Sequence, residues 1–247
     1  KEILKLAVPN ILANLSVPLL SVVDVALMGN LNSEAYILSI GFGVMIFNFI
    51  YWAFGFLRMG ITGMTAQEVG RGSVVEASRL LFRGLLIAFS GSLLLIVAKD
   101  VLLHISLYLI DSNENVNEQI ATYFNIRIYA APATLGLYAF IGWFLGKQNS
   151  TIAMVVTIAV NLFNAFISCY LVTKLKLETA GVAYGTLMAQ YLGFILSVVF
   201  FVVFYRKELT NEAFKNIFEL VAIKKFIAVN ADILIRTLCL IISLSFF

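Results

Sequence analysis

The run from Leu6 to Gly29, LAVPNILANLSVPLLSVVDVALMG, decides how the rest of this chain is read. It is apolar over the length that crosses a bilayer as an α-helix, about 20 residues, and it carries one ionisable side chain, Asp24. A carboxylate in hydrocarbon is costly unless it faces protein or a watery cavity, so an intramembrane acid is read first as a functional group. Pro9 and Pro18 lie in the same run. Each removes a backbone donor, so this helix should bend, Pro9 marking the bend nearest the amino terminus.

Composition agrees with a membrane reading. Of 247 residues 61% are hydrophobic and 13% charged, with a mean hydropathy of +0.96, whereas soluble domains carry about 25% charged residues. Cys169 and Cys239 both fall in apolar runs, which argues against a disulfide framework or a metal site and casts them as packing residues. The first apolar run is too long for a cleavable signal peptide and lacks its small-residue cleavage site. Beginning at Lys1 and ending at Phe247 inside an apolar run, the sequence reads as part of a longer protein.

Six complete apolar runs and one cut short are visible, at 6–29, 36–65, 84–109, 119–146, 151–172, 180–205 and from 227 onward. Each complete run is long enough to span as a helix. The expected fold is therefore an all-α, polytopic membrane protein. A six-helix transmembrane lobe occupies 1–210, a cytoplasmic linker 211–225, and the start of a second lobe, with a seventh helix, 226–247. In the linker, Phe214, Ile217, Phe218 and Val221 recur at helical spacing, which predicts a short amphipathic helix at the membrane surface. Lys and Arg at the span ends divide eleven to three, with Lys1, Lys5, Arg71, Arg79, Arg83 and Lys147 among the eleven. That bias puts the amino terminus in the cytoplasm and the protein in the cell (inner or plasma) membrane.

Polar residues converge at one depth. On span five Asn161, Asn164 and Ser168 share a helix face, and on span six Thr186 and Gln190 do so. Asp24, Ser168 and Thr186 then lie at similar distances from the outer ends of their spans. Oxygens of Asp24, Asn164, Ser168 and Thr186 suit a hard cation such as Na+, and a secluded carboxylate suits a proton, because desolvation raises its pKa. The alternative is ordinary hydrogen bonding between helices, each bond worth about 1 kcal/mol. Tyr123 and Arg127 share a face of span four, and Arg127 reads as a counter-charge to an acid. Asp232 and Arg236 read as an ion pair on span seven. Arg58, taken to lie near the inner end of span two, is expected to snorkel to the cytoplasmic surface.

At these residues the chain resembles the multidrug and toxic compound extrusion (MATE) transporters, in their DinF-like branch. The likeness is carried by LAVPNILANLSVPLLSVVDVALMGNL, FGFLRMGITGMTAQEVGRG, IRIYAAPATLGLYAFIGWFLGKQNS, NLFN, GVAYGTLMAQYLG and NADILIRTL, taken in that order along nearly the whole chain. The resemblance implies two six-helix lobes related by a pseudo-two-fold axis, with substrate efflux driven by Na+ or H+ entry. It makes Asp24 the span-one acid and Pro9 the bend proline. Asn164 and Thr186 become members of the same cation site, where Na+ would sit with Asp24, and Tyr123 a tyrosine near it. Ser168 departs from the pattern, standing where similar proteins often carry a second acid, which leaves one carboxylate in the lobe and one monovalent ion per cycle as the simplest consequence.

The function expected is secondary antiport of organic, often cationic or amphiphilic, compounds against Na+ or H+. Asp24, Asn164, Ser168 and Thr186 are the coupling group, and Asn161, Gln190, Tyr123 and Arg127 the supporting polar or cavity residues. No cofactor beyond the coupling ion is expected. The partners are membrane lipid and a small organic substrate, without nucleic acid, and a monomer is anticipated. A lipid or lipid-linked oligosaccharide flippase is the alternative; it would need a larger, more cationic cavity, and only Arg127 and Arg236 read as deep. An enzyme is disfavoured, since the sequence offers no nucleophile and base pair, metal cluster or phosphate-binding glycine loop.

Overall fold

The computed structural model describes residues 2–29, 34–110, 112–208 and 219–245, and among the described residues every regular element is helical. In chain order these are α1 (Glu2–Gly29), α2 (Glu34–Ala53), α3 (Gly55–Gly70), α4 (Val74–Val97), α5 (Lys99–Ile110), α6 (Glu114–Arg127), α7 (Ala131–Gly146), α8 (Ser150–Thr173), α9 (Glu178–Tyr205) and α10 (Leu220–Ser245). Five continuous stretches are long and apolar enough to cross a membrane: 35–70 (α2 with α3), α4, 114–146 (α6 with α7), α8, and 178–208, which is α9 with a short 3-10 turn. α1 adds an apolar helix over Ala7–Leu20. Helices are the solution the composition demands, since lipid offers no water to satisfy a free N–H or C=O. Leu162, Phe166, Val203 and Phe204, exposed by 63–71%, form part of an outer apolar surface of the kind that faces lipid or another helix.

The fourth crossing is the centre of the lobe. Its apolar stretch is 72% buried, against 22–39% for the other four. It is also broken. Pro132 has no N–H to give the carbonyl of Ile128, and its ring crowds that carbonyl, so the chain tightens to a 3-10 turn over Ile128–Ala130 before α7 begins. The break leaves Arg127 at the end of α6. α7 then packs closely on α3 at Gly142, where a Cβ would come within 2.7 Å of the Arg58 carbonyl oxygen. The Thr62 hydroxyl reaches both that carbonyl (2.8 Å) and the carbonyl of Gly142 (3.0 Å).

One end of the lobe is tied by polar contacts. Lys147 pairs with Glu208 at 2.7 Å, Ser78 donates to Glu208 at 3.1 Å, Asn149 donates to Tyr205 at 3.0 Å, and the Trp143 indole N–H donates to the Ala77 carbonyl at 2.7 Å. These contacts join the α4 start, the α7–α8 turn and the α9 end. Nearby, Arg83 is buried at 4% exposure and pairs with Glu76.

Several expectations change. The second crossing runs on to Gly70, so Arg58 lies well inside it and not at its end. Cys169 and Cys239 are exposed, so neither is a core packing residue. Asp232 and Arg236 are both exposed on α10, and no ion pair joins them. α10 instead meets α3 through Phe226 and Asn230, both buried, with the Asn230 amide donating to the Phe226 carbonyl at 2.7 Å. Phe214, Ile217 and Phe218 of the expected linker helix lie outside the described residues, and 220–225 belongs to α10 without a break.

Gly142→Val should push α7 off α3 and lower stability by about 1–3 kcal/mol, whereas Gly63→Val, on the same α3 but facing open space, should cost far less. Thermal unfolding of both variants in detergent checks this, and equal losses would refute the close approach at Gly142.

Candidate functional site

α8 and α9 are joined by a chain of side-chain hydrogen bonds. Ser168 donates to Asn164 Oδ1 at 2.8 Å, the Asn164 amide donates to Thr186 Oγ1 at 3.3 Å, and Thr186 donates to the Val182 carbonyl at 3.0 Å. All three side chains are buried, at 0–5% exposure. The chain can form because the helices nearly touch at Gly185, where a Cβ would collide with Ser168 Oγ. Small residues bring backbones together in membranes, and short polar side chains then reach across. The sequence did not single out Gly185; its signal is a recurrence of small residues at Gly181, Gly185, Ala189, Gly193 and Ser197, one turn apart on α9.

α1 is tied to the same helix. Asn161 donates to Ser16 Oγ at 2.6 Å, and Ser16 donates to the Ala13 carbonyl at 2.7 Å. Ser16 stands between Pro9 and Pro18, so the contact holds α1 in the segment both prolines weaken. The side chain of Asp24 lies outside the described residues; its backbone continues α1. As first and fifth crossings, α1 and α8 run in the same direction. From Ser16 to Asp24 the helix rises about 12 Å, and from Asn161 to Ser168 about 10 Å, at 1.5 Å per residue. The Asp24 backbone therefore comes to the level of the Ser168 chain.

This group is chemically hard and neutral. Three oxygens, Asn164 Oδ1, Ser168 Oγ and Thr186 Oγ1, lie together, each with lone-pair capacity beyond the bonds they make. No cluster of three or more His, Cys, Asp or Glu exists among the described residues, so the donor set does not suit zinc or another transition metal.

Beside the chain opens a cavity of about 600 Å3. Asn161, Asn164, Thr186 and Gln190 line one side, Leu20 contributes from α1, and Arg58, Arg127, Tyr51, Thr134 and Tyr138 line the rest with Asn48 and apolar residues such as Trp52 and Ile141. Arg58 thus belongs to the cavity and does not snorkel away. Arg127 is not a counter-charge to a described acid. Its guanidinium hydrogen-bonds the Tyr123 hydroxyl and lies 5.0 Å from the Phe47 ring centroid and 5.4 Å from that of Tyr123. Tyr123, fully buried, is hydrogen-bonded to Arg127 and does not line the cavity. The Tyr51 and Thr134 hydroxyls face each other, buried, and neither makes a hydrogen bond of full geometry. Tyr51, Arg58, Thr134 and Tyr138 were missed from sequence because they come from three helices whose facing is set only by the breaks at Phe54 and Pro132.

With this geometry in view, the MatE family model matches residues 9–171, and the chain belongs to that family. It is 29% identical over 249 residues to the DNA damage-inducible protein F of Escherichia coli (strain K12), covering 97% of this chain and 52% of that one. It is 26% identical to Protein DETOXIFICATION 44, chloroplastic, of Arabidopsis thaliana, over 79% of this chain and 40% of that one. The chain spans about half the length of the curated relatives it matches. Its fold matches a eukaryotic MATE transporter with a TM-score of 0.74 at 16% identity, over 93% of this chain and 52% of that one. It also matches a MOP superfamily transporter from Pyrococcus furiosus with a TM-score of 0.71 at 16% identity, over 87% and 50%. A membrane-embedded helical lobe of MATE type is therefore the architecture of this chain.

Asn164 is the middle member of the chain, so Asn164→Ala strands both Ser168 and Thr186 and should cost about 1–2 kcal/mol, near the upper end for interhelical hydrogen bonds. Thr186→Val should cost less than half of that, and the double variant should fall short of the sum. Thermal unfolding in detergent tests this; strict additivity would mean the three groups do not act together.

Proposed function

We propose that this chain forms the cation-coupling lobe of a secondary antiporter that exports organic, amphiphilic compounds in exchange for Na+ or H+ by alternating access. What supports the reading is the Asn161–Ser16 contact, from which helical rise carries the Asp24 backbone to about the depth of the Ser168–Asn164–Thr186 chain. A carboxylate there meets neutral oxygens from two other helices. Such a set loads a proton by desolvation of the acid, or a monovalent cation by oxygen coordination. Loading changes the charge beside the bend region of α1, which Asn161 ties to α8 through Ser16, so ion occupancy and helix shape are linked through one contact. Asn161, Gln190 and Arg127 line the adjoining cavity, and Ser168 in place of a second acid favours one monovalent ion per cycle.

The lobe is read as lying in the cell membrane with its amino terminus cytoplasmic, on the side of the Lys147–Glu208 cluster. Transport rather than chemical transformation is the activity that membership of the MatE family supports. Two arginines at the cavity wall favour a second reading, flipping of an anionic lipid or lipid-linked molecule.

The deciding experiment reconstitutes the full-length protein in liposomes and imposes pH and Na+ gradients separately. Asp24→Asn should insert and fold normally yet lose gradient-driven transport, and a mutant still driven by the gradient refutes the coupling role. Ser168→Asp should change ion preference or stoichiometry; unchanged ion dependence would remove Ser168 from the site.

A further inference from the structure

The described cavity is lined by hydrogen-bond donors and positive charge, with no acid among its described residues. Arg58 and Arg127 both line it, and Tyr138 lies within electrostatic reach of both guanidinium groups. Arg127 has a buried Nε with no hydrogen-bond partner, and the buried Tyr51 and Thr134 hydroxyls beside it reach only each other, short of full hydrogen-bond geometry. Unpaired donors buried in a protein interior are costly, and they are found where a ligand or ion completes them. Arginine at membrane depth is likewise kept where it serves a site. The remaining wall is apolar, including Val44, Trp52, Ile141 and Val156. The volume, about 600 Å3, is that of an organic ligand site.

We infer that the cavity takes an anionic amphiphile, with a carboxylate or phosphate headgroup held by Arg58 and Arg127 and completed by Tyr51 and Thr134, and an apolar body against the α2, α7 and α8 wall. A guanidinium fork matches a planar carboxylate or a phosphate edge, each charge-assisted bond being about twice as strong as a neutral one. The Phe47 ring and the Tyr123 hydroxyl hold the Arg127 fork in place before the ligand arrives. An organic cation of the same shape meets two like charges and no described acid in this cavity. The inference names the substrate class for the transport reading and rests on it only for movement; binding stands by itself.

The headgroup has two sources, a free organic anion or a membrane lipid. The full-length protein in phosphatidylcholine nanodiscs is titrated, with no ion gradient, with three dansyl-undecyl probes alike except for the end group: a carboxylate, its methyl ester and a trimethylammonium. The carboxylate is expected to bind at least about tenfold more tightly than the other two. Arg127→Gln and, separately, Arg58→Gln should erase that preference while leaving the ester affinity within about twofold. Equal or tighter binding of the ammonium probe to the natural protein overturns the proposal, as does a loss that is the same for all three probes in both variants. Because the end-group series is read on the unmodified protein, a variant that fails to fold leaves the test decisive. Repeating it in nanodiscs containing phosphatidic acid distinguishes the sources. Loss of carboxylate binding there assigns the site to a lipid headgroup, and retention assigns it to a free organic anion. Failure of Asp24→Asn to abolish gradient-driven uptake, with the charge preference intact, would reject the coupling mechanism and keep the anion site.

Discussion

A polypeptide in hydrocarbon must satisfy its own backbone, and the places where this chain departs from regular helix are where its polar chemistry collects. Pro132 denies a hydrogen bond to Ile128, the fourth crossing tightens into a 3-10 turn, and Arg127, Thr134 and Tyr138 come to one cavity around that turn. A straight helix would keep its carbonyls paired internally and offer nothing at this point. The crossing that breaks is also the most enclosed one, and within the turn Ile128 and Ala130 are buried while Tyr129 is exposed.

The other seam depends on the absence of a side chain. Gly185 lets α8 and α9 approach until Ser168 fits between them, and the hydroxyl–amide–hydroxyl chain follows from that spacing. Two arrangements of opposite character thus stand side by side. One is a tight, neutral hydrogen-bonded ladder whose donors are satisfied, and the other is an open cavity at whose wall the buried Arg127 Nε is not. Asn164 and Thr186 belong to both.

Much of this was legible in the residues. Apolar runs predicted the first, second, fourth, fifth and sixth helical stretches to within a few residues, because in lipid length and hydropathy select helix, but the third, expected at 84–109, is instead Val74–Val97, with Lys99–Ile110 a separate helix after a break. Asn161, Asn164 and Ser168 were placed on one face by spacing, and the structure brings Asn164, Ser168 and Thr186 into one hydrogen-bonded group. Arg58 was misread because its run was ended too early, at a stretch of threonines and glycines that remains helical to Gly70. The Asp232–Arg236 pair failed for another reason: the spacing i, i+4 makes contact possible on a helix but does not fix the side-chain rotamers that would make it.

The sequence by itself determined that this is a bundle of membrane-crossing helices, which of them carry polar faces, and that one acid lies in the first crossing. Those features are local, set by composition and helical period. Only the tertiary structure decided that Ser16 meets Asn161, that Gly185 admits Ser168, and that Arg58 and Arg127 share a cavity with Tyr51 and Thr134. These are contacts between residues far apart in the chain, and they depend on the rotation of each helix about its axis. Helix rotation is settled by which small residues let neighbours approach and by where a proline breaks the backbone.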